Sequence, residues 1–199
     1  MKKIEMNKEN RVDYSIIIPA FNEEDYLPKT LASIKEAMSK VTKFRGEVIV
    51  TDNNSTDRTA EIARKAGATV VFEEHQQISR SRNTGAKNSN VKYIIFVDSD
   101  TQISAKLLQK TLLRLESGKI CGGGTTVEFD GKLTFLTKRF LESWLVISQI
   151  FKFACGAYVF CTRDAFNETG GFDEQYYASE EIHFSKALQR WEKSADKDL

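Results

Sequence analysis

At 199 residues, 41% of them hydrophobic and 29% charged, the chain is long enough to bury one sizeable core, and one domain of ordinary soluble composition is expected. Its 29 Lys and Arg balance 28 Asp and Glu to a formal net charge of +1, which excludes a generally basic nucleic-acid-binding surface. Three cysteines, Cys121, Cys155 and Cys161, show no Cys-x-x-Cys spacing and read as reduced, mostly buried thiols of a cytoplasmic protein.

Met1 to Asp13 is a charged leader without an apolar stretch, so no signal peptide is expected. Ser15-Ile16-Ile17-Ile18 reads as a short buried strand, and Pro19, which cannot donate to a ladder, marks its exit into a loop reaching Glu23. Leu27, Leu31, Ile34 and Met38 then recur at helical spacing. Gly46 precedes a second strand, Glu47 to Thr51, followed by Asp52-Asn53-Asn54-Ser55-Thr56-Asp57. The Ser, Thr and Asp of that run suit the cap of a helix carrying Ala60, Ile62, Ala63 and Ala66, which Gly67 ends.

Ala68 to Phe72 forms a third strand, and a polar helix from about Ile78 carries Arg80, Arg82, Asn83 and Lys87. Tyr93 to Val97 is the next strand. Ser104 caps a helix whose Leu107, Leu108, Thr111, Leu112 and Leu115 face inward, with Gly118 at its end. Strands alternating with helices predict a mostly parallel α/β sheet. Beyond residue 118 the alternation breaks. Gly122-Gly123-Gly124 leads into an expected strand over Thr125 to Phe129, then a helix from about Leu133 to Phe151 and a strand near Ala157 to Cys161. The most apolar stretch, Phe140 to Cys161, is interrupted by Glu142, Ser143, Gln149 and Lys152. It falls short of the roughly 18–20 uninterrupted apolar residues of a membrane span. Peripheral membrane contact is the most that this region predicts.

The strand Tyr93 to Val97 ends abruptly in Asp98-Ser99-Asp100. Side chains two apart leave a strand on the same side, so the two carboxylates face each other. Such a pair repels unless a cation lies between them or links them to a ligand phosphate. In an open α/β sheet, ligands bind outside the carboxyl ends of the strands. A divalent-metal and diphosphate site is therefore expected here, against the plainer reading of a turn with a helix cap. The polar exits at Pro19 to Glu23 and Asp52 to Asp57 converge on the same sheet edge.

Taken in order, Ser15-Ile16-Ile17-Ile18-Pro19-Ala20-Phe21-Asn22-Glu23, Asp52-Asn53-Asn54-Ser55-Thr56-Asp57-Arg58-Thr59, Arg82-Asn83-Thr84-Gly85-Ala86, Val97-Asp98-Ser99-Asp100, Gly170-Gly171-Phe172-Asp173-Glu174 and Ser179-Glu180-Glu181 resemble the signatures of family 2 glycosyltransferases of the GT-A fold. The resemblance runs from residue 15 to about 190. It implies a single GT-A domain with a mixed, mostly parallel sheet, its residues 14–118 binding a nucleotide sugar and 119–199 the acceptor, after a leader at 1–13. It also implies inverting transfer from a UDP-, GDP- or dTDP-sugar to a saccharide or lipid-linked acceptor, in cell-surface polysaccharide synthesis at the cytoplasmic face.

On that resemblance Pro19, Ala20, Phe21 and Glu23 border the nucleoside, and Asp52 and Asn53 face the base. Many members carry two acids at that place, so Asn53 leaves the base identity open; an amide both donates and accepts. The same residues also suit a turn. Arg82, with Arg80 as competitor, approaches the diphosphate, where a guanidinium matches phosphate oxygens. Asp98, Ser99 and Asp100 meet the donor, with Asp100 and Asp98 holding Mg²⁺ or Mn²⁺. Glu181 takes the place of the general base, usually an aspartate after a glutamate, and Glu180 is the alternative. Two glutamates after Ser179 also suit the first turn of a helix with no chemistry. His183 is either structural or a substrate or metal contact.

Two other functions share the crevice. A sugar nucleotidyltransferase would carry a Gly-rich basic loop after the first strand, where Pro19-Ala20-Phe21-Asn22 stands instead. A binding or regulatory module would keep the nucleotide crevice and lack turnover.

Overall fold

The computed structural model describes residues 11–125, 157–177 and 179–195. Among these residues six strands form one sheet in the order β3-β2-β1-β4-β6-β5: β1 (Tyr14–Ala20), β2 (Gly46–Asp52), β3 (Thr69–Phe72), β4 (Tyr93–Val97), β5 (Gly122–Gly124) and β6 (Tyr158–Thr162). β1 pairs in parallel with both β2 and β4, and β2 with β3, as the strand–helix alternation requires. β6 runs antiparallel to β4, and β5 antiparallel to β6. The mixed, mostly parallel sheet expected from sequence is the one observed.

Period-two alternation in the two central strands divides the core between the sheet's faces. Ile16 and Ile18 of β1, with Ile95 and Val97 of β4, pack on Leu27, Leu31 and Ile34 of helix α1 (Leu27–Lys40) and on Leu108, Leu112 and Leu115 of α4 (Ala105–Glu116). Ile17, Ile94 and Phe96 face the opposite way, toward Ala86 of α3 (Ile78–Lys87), Phe166 of α5 (Arg163–Thr169) and Phe184 and Leu188 of α6 (Glu180–Ala195). Phe172 joins this second layer, with its ring centroid 4.9 Å from Phe96 and 4.4 Å from Phe184. The loop before α6 is thereby anchored on β4.

Helix α3 lies unusually close to the sheet. A Cβ placed on Gly85 would overlap Ile17 Cγ2 and stand 2.7 Å from Thr51 Oγ1, so only glycine allows this approach.

Several local expectations are corrected. Gly122–Gly124, expected as a lead into the added strand, itself forms strand β5. A side chain at Gly122 would meet the Phe160 carbonyl oxygen at 2.7 Å and Leu188 Cδ1 at 2.9 Å, so bare backbone is required where β5 runs between β6 and α6. At the start of helix α2 (Thr59–Lys65) the N-cap position, Arg58, makes no side-chain cap bond, but Asp57 Oδ1 accepts from the Thr59 N–H at 2.9 Å. Ser104 does cap α4, accepting from the Leu107 N–H. Cys121 and Cys161 are free and buried. Cys155, the expected helix near Leu133 to Phe151 and the strand's continuation past Thr125 lie outside the described residues.

Candidate active site

The sheet order places the topological switch point between β1 and β4, the neighbours whose connections leave in opposite directions along the sheet. A cleft of about 490 Å³ opens there. The exit of β1 contributes Pro19, Ala20, Phe21 and Glu23 to its lining, and the exit of β4 contributes Asp98, Ser99 and Asp100. Its volume lies in the range of small-molecule sites, roughly 300–1,000 Å³.

Two neighbouring loops frame the cleft by side chain-to-backbone bonds. Asn22, held at φ 54°, accepts at Oδ1 from the Thr56 N–H, while its own N–H donates to Ser55 Oγ. The Glu23 N–H donates to Thr59 Oγ1, and the Glu24 N–H to Asp57 Oδ2. The Ser, Thr and Asp run after β2 thus laces that loop to the loop after β1. Below the acidic triplet, Thr30 Oγ1 of α1 donates to the Ser99 carbonyl.

The acidic groups differ in environment. Asp100 is exposed on the cleft lining. Asp98 is less open, and its Oδ1 accepts from Arg82 Nη2 at 2.9 Å. Burial, with Asp100 and Glu180 nearby, pushes the Asp98 carboxyl above the usual carboxylate range in spite of Arg82. Burial likewise raises Glu23, which also faces Asp100, Asp57 and Asp98 while sharing a hydrogen bond with Ser99. No cluster of three or more His, Cys, Asp or Glu able to hold a metal occurs among the described residues. The donor set at the lip of β4 is two hard carboxylates. It suits a cation whose remaining positions are filled by water and ligand phosphates, the usual manner of Mg²⁺ binding beside a nucleotide.

Three of the expected site residues are engaged within the fold. Arg82 is only 1% exposed and does not open onto the cleft: besides Asp98 it donates from Nη1 to Glu180 Oε1 at 2.6 Å, with its guanidinium over the Phe172 ring. It braces the two carboxylates. Asn53 lines the cleft, but its amide is engaged within the fold. Nδ2 donates to the carbonyls of Glu73 and His75, and Oδ1 accepts from the Gln77 N–H. Asp52 is absent from the cleft lining; its Oδ1 accepts from the Ser55 N–H, the turn-building role weighed beside base recognition.

Glu180 and Glu181 open α6 and differ sharply. Glu180 is buried, its Oε1 accepting from Arg82 Nη1. Glu181 is half-buried, and its carboxyl is raised first by burial and then by Glu180 and Asp98, with Arg82 opposing. Glu181 is the more open of the two carboxyls. His183 stacks on Tyr176, with ring centroids 3.8 Å apart.

Sequence reasoning missed Gln76, Gln77 and Ile78 in the cleft wall. Two glutamines before a helix carry neither a turn nor a cap signature, so no local pattern could have marked them. It also gave Asn83 only a general backbone role. The structure makes it a two-way clamp, donating from Nδ2 to the Phe172 carbonyl and accepting at Oδ1 from the Phe172 N–H.

A doubly wound α/β sheet with an acid-lipped crevice at its switch point defines the GT-A class of fold. The sequence model described as "Glycosyl transferase family 2" matches residues 15–170, and the chain belongs to that family. Glycosyltransferase AglE of Haloferax volcanii is 26% identical over 190 residues, covering 86% of this chain and 60% of AglE. The uncharacterized glycosyltransferase EpsJ of Bacillus subtilis is 30% identical over 143 residues, 68% of this chain and 40% of EpsJ. The chain thus spans about half the length of these relatives.

Among solved structures, the mannosyltransferase PcManGT of Pyrobaculum calidifontis, in complex with GDP-Man and Mn²⁺, superimposes with TM-score 0.68 at 19% identity, covering 86% of this chain and 50% of that one. TarS 1–349 of S. aureus in complex with UDP-GlcNAc gives TM-score 0.66 at 20% identity, with coverages of 89% and 53%. These likenesses establish the shared fold. No helix among the described residues is long and apolar enough to cross a membrane.

Proposed function

We propose that this chain carries the donor-binding and catalytic part of an inverting glycosyltransferase that moves a sugar from a nucleoside-diphosphate sugar to an acceptor hydroxyl. The observation that carries the reading is the pair Asp98 and Asp100 at the cleft lip, joined through buried Arg82 to the helix that begins at Glu180 and Glu181.

In this reading the loop at Pro19 to Glu23 borders the nucleoside, with the Phe21 ring, 44% exposed, on the rim. Asp100 directly and Asp98 through the oxygen not held by Arg82 would hold Mg²⁺ or Mn²⁺ against the diphosphate. The cation would neutralise charge that builds on the departing nucleoside diphosphate. Glu181 accepts the proton of the acceptor hydroxyl as its oxygen attacks the anomeric carbon opposite the leaving group, which inverts the configuration. Arg82 acts by position, holding Asp98 and Glu180 in a fixed relation. The acceptor side, a saccharide or a lipid-linked sugar, belongs to the region after residue 118.

Thermal shift with UDP, GDP, dTDP and CMP, each with and without Mn²⁺, tests the donor site. Stabilisation by one nucleoside diphosphate that requires the metal is expected, since a ligand bound only by the native state raises Tm by mass action. Turnover of the matching nucleotide sugar then separates a transferase from a module that only binds. Equal Tm values with all four nucleotides and metal would overturn the reading.

A further inference from the structure

Gln77 sits where three parts of the molecule meet. It lines the cleft, it is 7% exposed, and it immediately precedes α3. Its N–H donates to Asn53 Oδ1 at 3.0 Å, in the loop after β2. Its side chain reaches the opposite way: Nε2 donates to the Glu174 carbonyl at 2.7 Å and to the Tyr176 carbonyl at 3.1 Å. The second amide atom is also engaged, Oε1 accepting from Arg80 Nε at 3.0 Å, and Arg80 Nη1 lies 3.3 Å from Glu174 Oε2.

These contacts require a neutral amide. Two carbonyls demand a donor and the Arg80 N–H demands an acceptor on the same short side chain. A carboxylate would face the two carbonyls with a lone pair. A thioether would satisfy none of the three partners, and an ammonium would repel the guanidinium. The segment so held, Glu174 to Tyr176, precedes Glu180 and Glu181 in the chain. Asn83 fixes the same segment only at its start, through Phe172 and Glu174.

We infer that Gln77 is a positioning residue coupling the donor cleft to the acceptor-side segment, so that a nucleoside diphosphate filling the cleft also steadies residues 174–176 ahead of the two glutamates. The inference rests on the nucleotide reading of the cleft. It goes further in giving the cleft wall a second role, because the side chain that forms part of the wall is also the tether. What immobilises the first immobilises the second. Acceptor binding would then be favoured on the donor-loaded protein, because part of the ordering entropy of the segment has already been removed.

Amide hydrogen exchange tests the coupling without an acceptor. The Gln175 N–H donates to Asp173 Oδ1, and the Tyr176 N–H to the Asp173 carbonyl, so both amides report on the held conformation. In Gln77→Met and Gln77→Glu, exchange at these two amides is expected about tenfold faster than in the parent, the effect of one to two lost hydrogen bonds, with β1 and β4 unchanged. Unchanged exchange at Gln175 and Tyr176 in both variants would overturn the tether.

UDP and GDP, each with Mn²⁺, provide the second arm. In the parent, the nucleotide that binds slows exchange in the loop 20–23 and at Gln175 and Tyr176. In Gln77→Met it slows the loop alone. Slowing confined to the loop in the parent, or persisting at Tyr176 in the variant, would refute the coupling. If neither nucleotide slowed exchange in the loop, the nucleotide reading itself would fail, and the ligand-free comparison would still decide the tether.

Discussion

Arg82 and Glu180 form an ion pair of 2.6 Å in which both side chains are almost wholly buried, 1% and 4% exposed. The same guanidinium reaches Asp98 with its other Nη, so one cation in α3 joins the lip of β4 to the start of α6. An isolated buried charge is costly, and breaking such a pair from one side leaves the partner uncompensated.

Arg82→Met should therefore lower stability by about 3–5 kcal/mol, since two carboxylates lose their shared cation. For a chain of this size the corresponding fall in Tm is roughly 6–20 °C, read by calorimetry or far-UV dichroism. A Tm within a degree of the parent would show that water reaches the site and that the pair is not structural.

Asp100→Asn is expected to leave the ligand-free Tm unchanged, because the side chain is exposed. It should abolish the metal-dependent part of nucleoside-diphosphate stabilisation. Chelation of the metal should do the same to the parent. Titration calorimetry with Mn²⁺ and nucleotide in the parent and the variant checks both.

Glu181→Gln should reduce transfer by about 10²-fold or more while donor affinity is kept, the signature of a lost general base. Its pH behaviour is also determined. Burial and the acids Glu180 and Asp98 raise the folded-state value above that of the unfolded chain. The folded protein then binds the proton more tightly, so stability falls as pH rises from the ordinary glutamate range through the raised value. The acid limb of the rate profile should lie above the ordinary glutamate range for the same reason. In Glu181→Gln this part of the stability slope disappears, which denaturation at several pH values will show.

Asn83→Ala leaves the buried N–H and carbonyl of Phe172 without their side-chain partner. A cost of about 2–4 kcal/mol is expected. Asn83→Asp keeps the acceptor but sets a carboxylate against the Phe172 carbonyl, so it should rescue little. Urea unfolding of both variants makes the comparison.

Gly85→Ala should destabilise by about 1–3 kcal/mol through overpacking, since the new methyl would overlap Ile17 and Thr51. The exposed Gly67→Ala change is a control with a different cause. Nothing lies within 4 Å of its Cβ, and only its φ of 84° opposes the substitution. Thermal melts of the two variants separate crowding from backbone strain.

The strands, their alternation with helices and the acidic exit of β4 were legible in the sequence because each is a local pattern. A run such as Tyr93 to Val97 buries both faces, and its period and its polar end follow from the chain alone. Motif order was enough to indicate the family. What the local pattern could not decide was partnership. Ser55, Thr56 and Asp57 have the pattern of caps; Asp57 Oδ1 does accept from the Thr59 N–H, but all three also link to the loop after β1, a partnership no local pattern encodes. Arg82, expected to approach the diphosphate, is instead 1% exposed between Asp98 and Glu180. Asn53 and Gln77 acquired their roles only when β2, α3 and the segment before α6 were brought within hydrogen-bonding distance of one another. Sequence by itself determined the elements, the family and the acids; the tertiary structure decided which acids are braced, which remain open, and that α3 holds the two sides of the cleft together. The physical reason is range: periodicity and turn chemistry act over a few residues, whereas burial of a charge or an amide depends on groups far away along the chain.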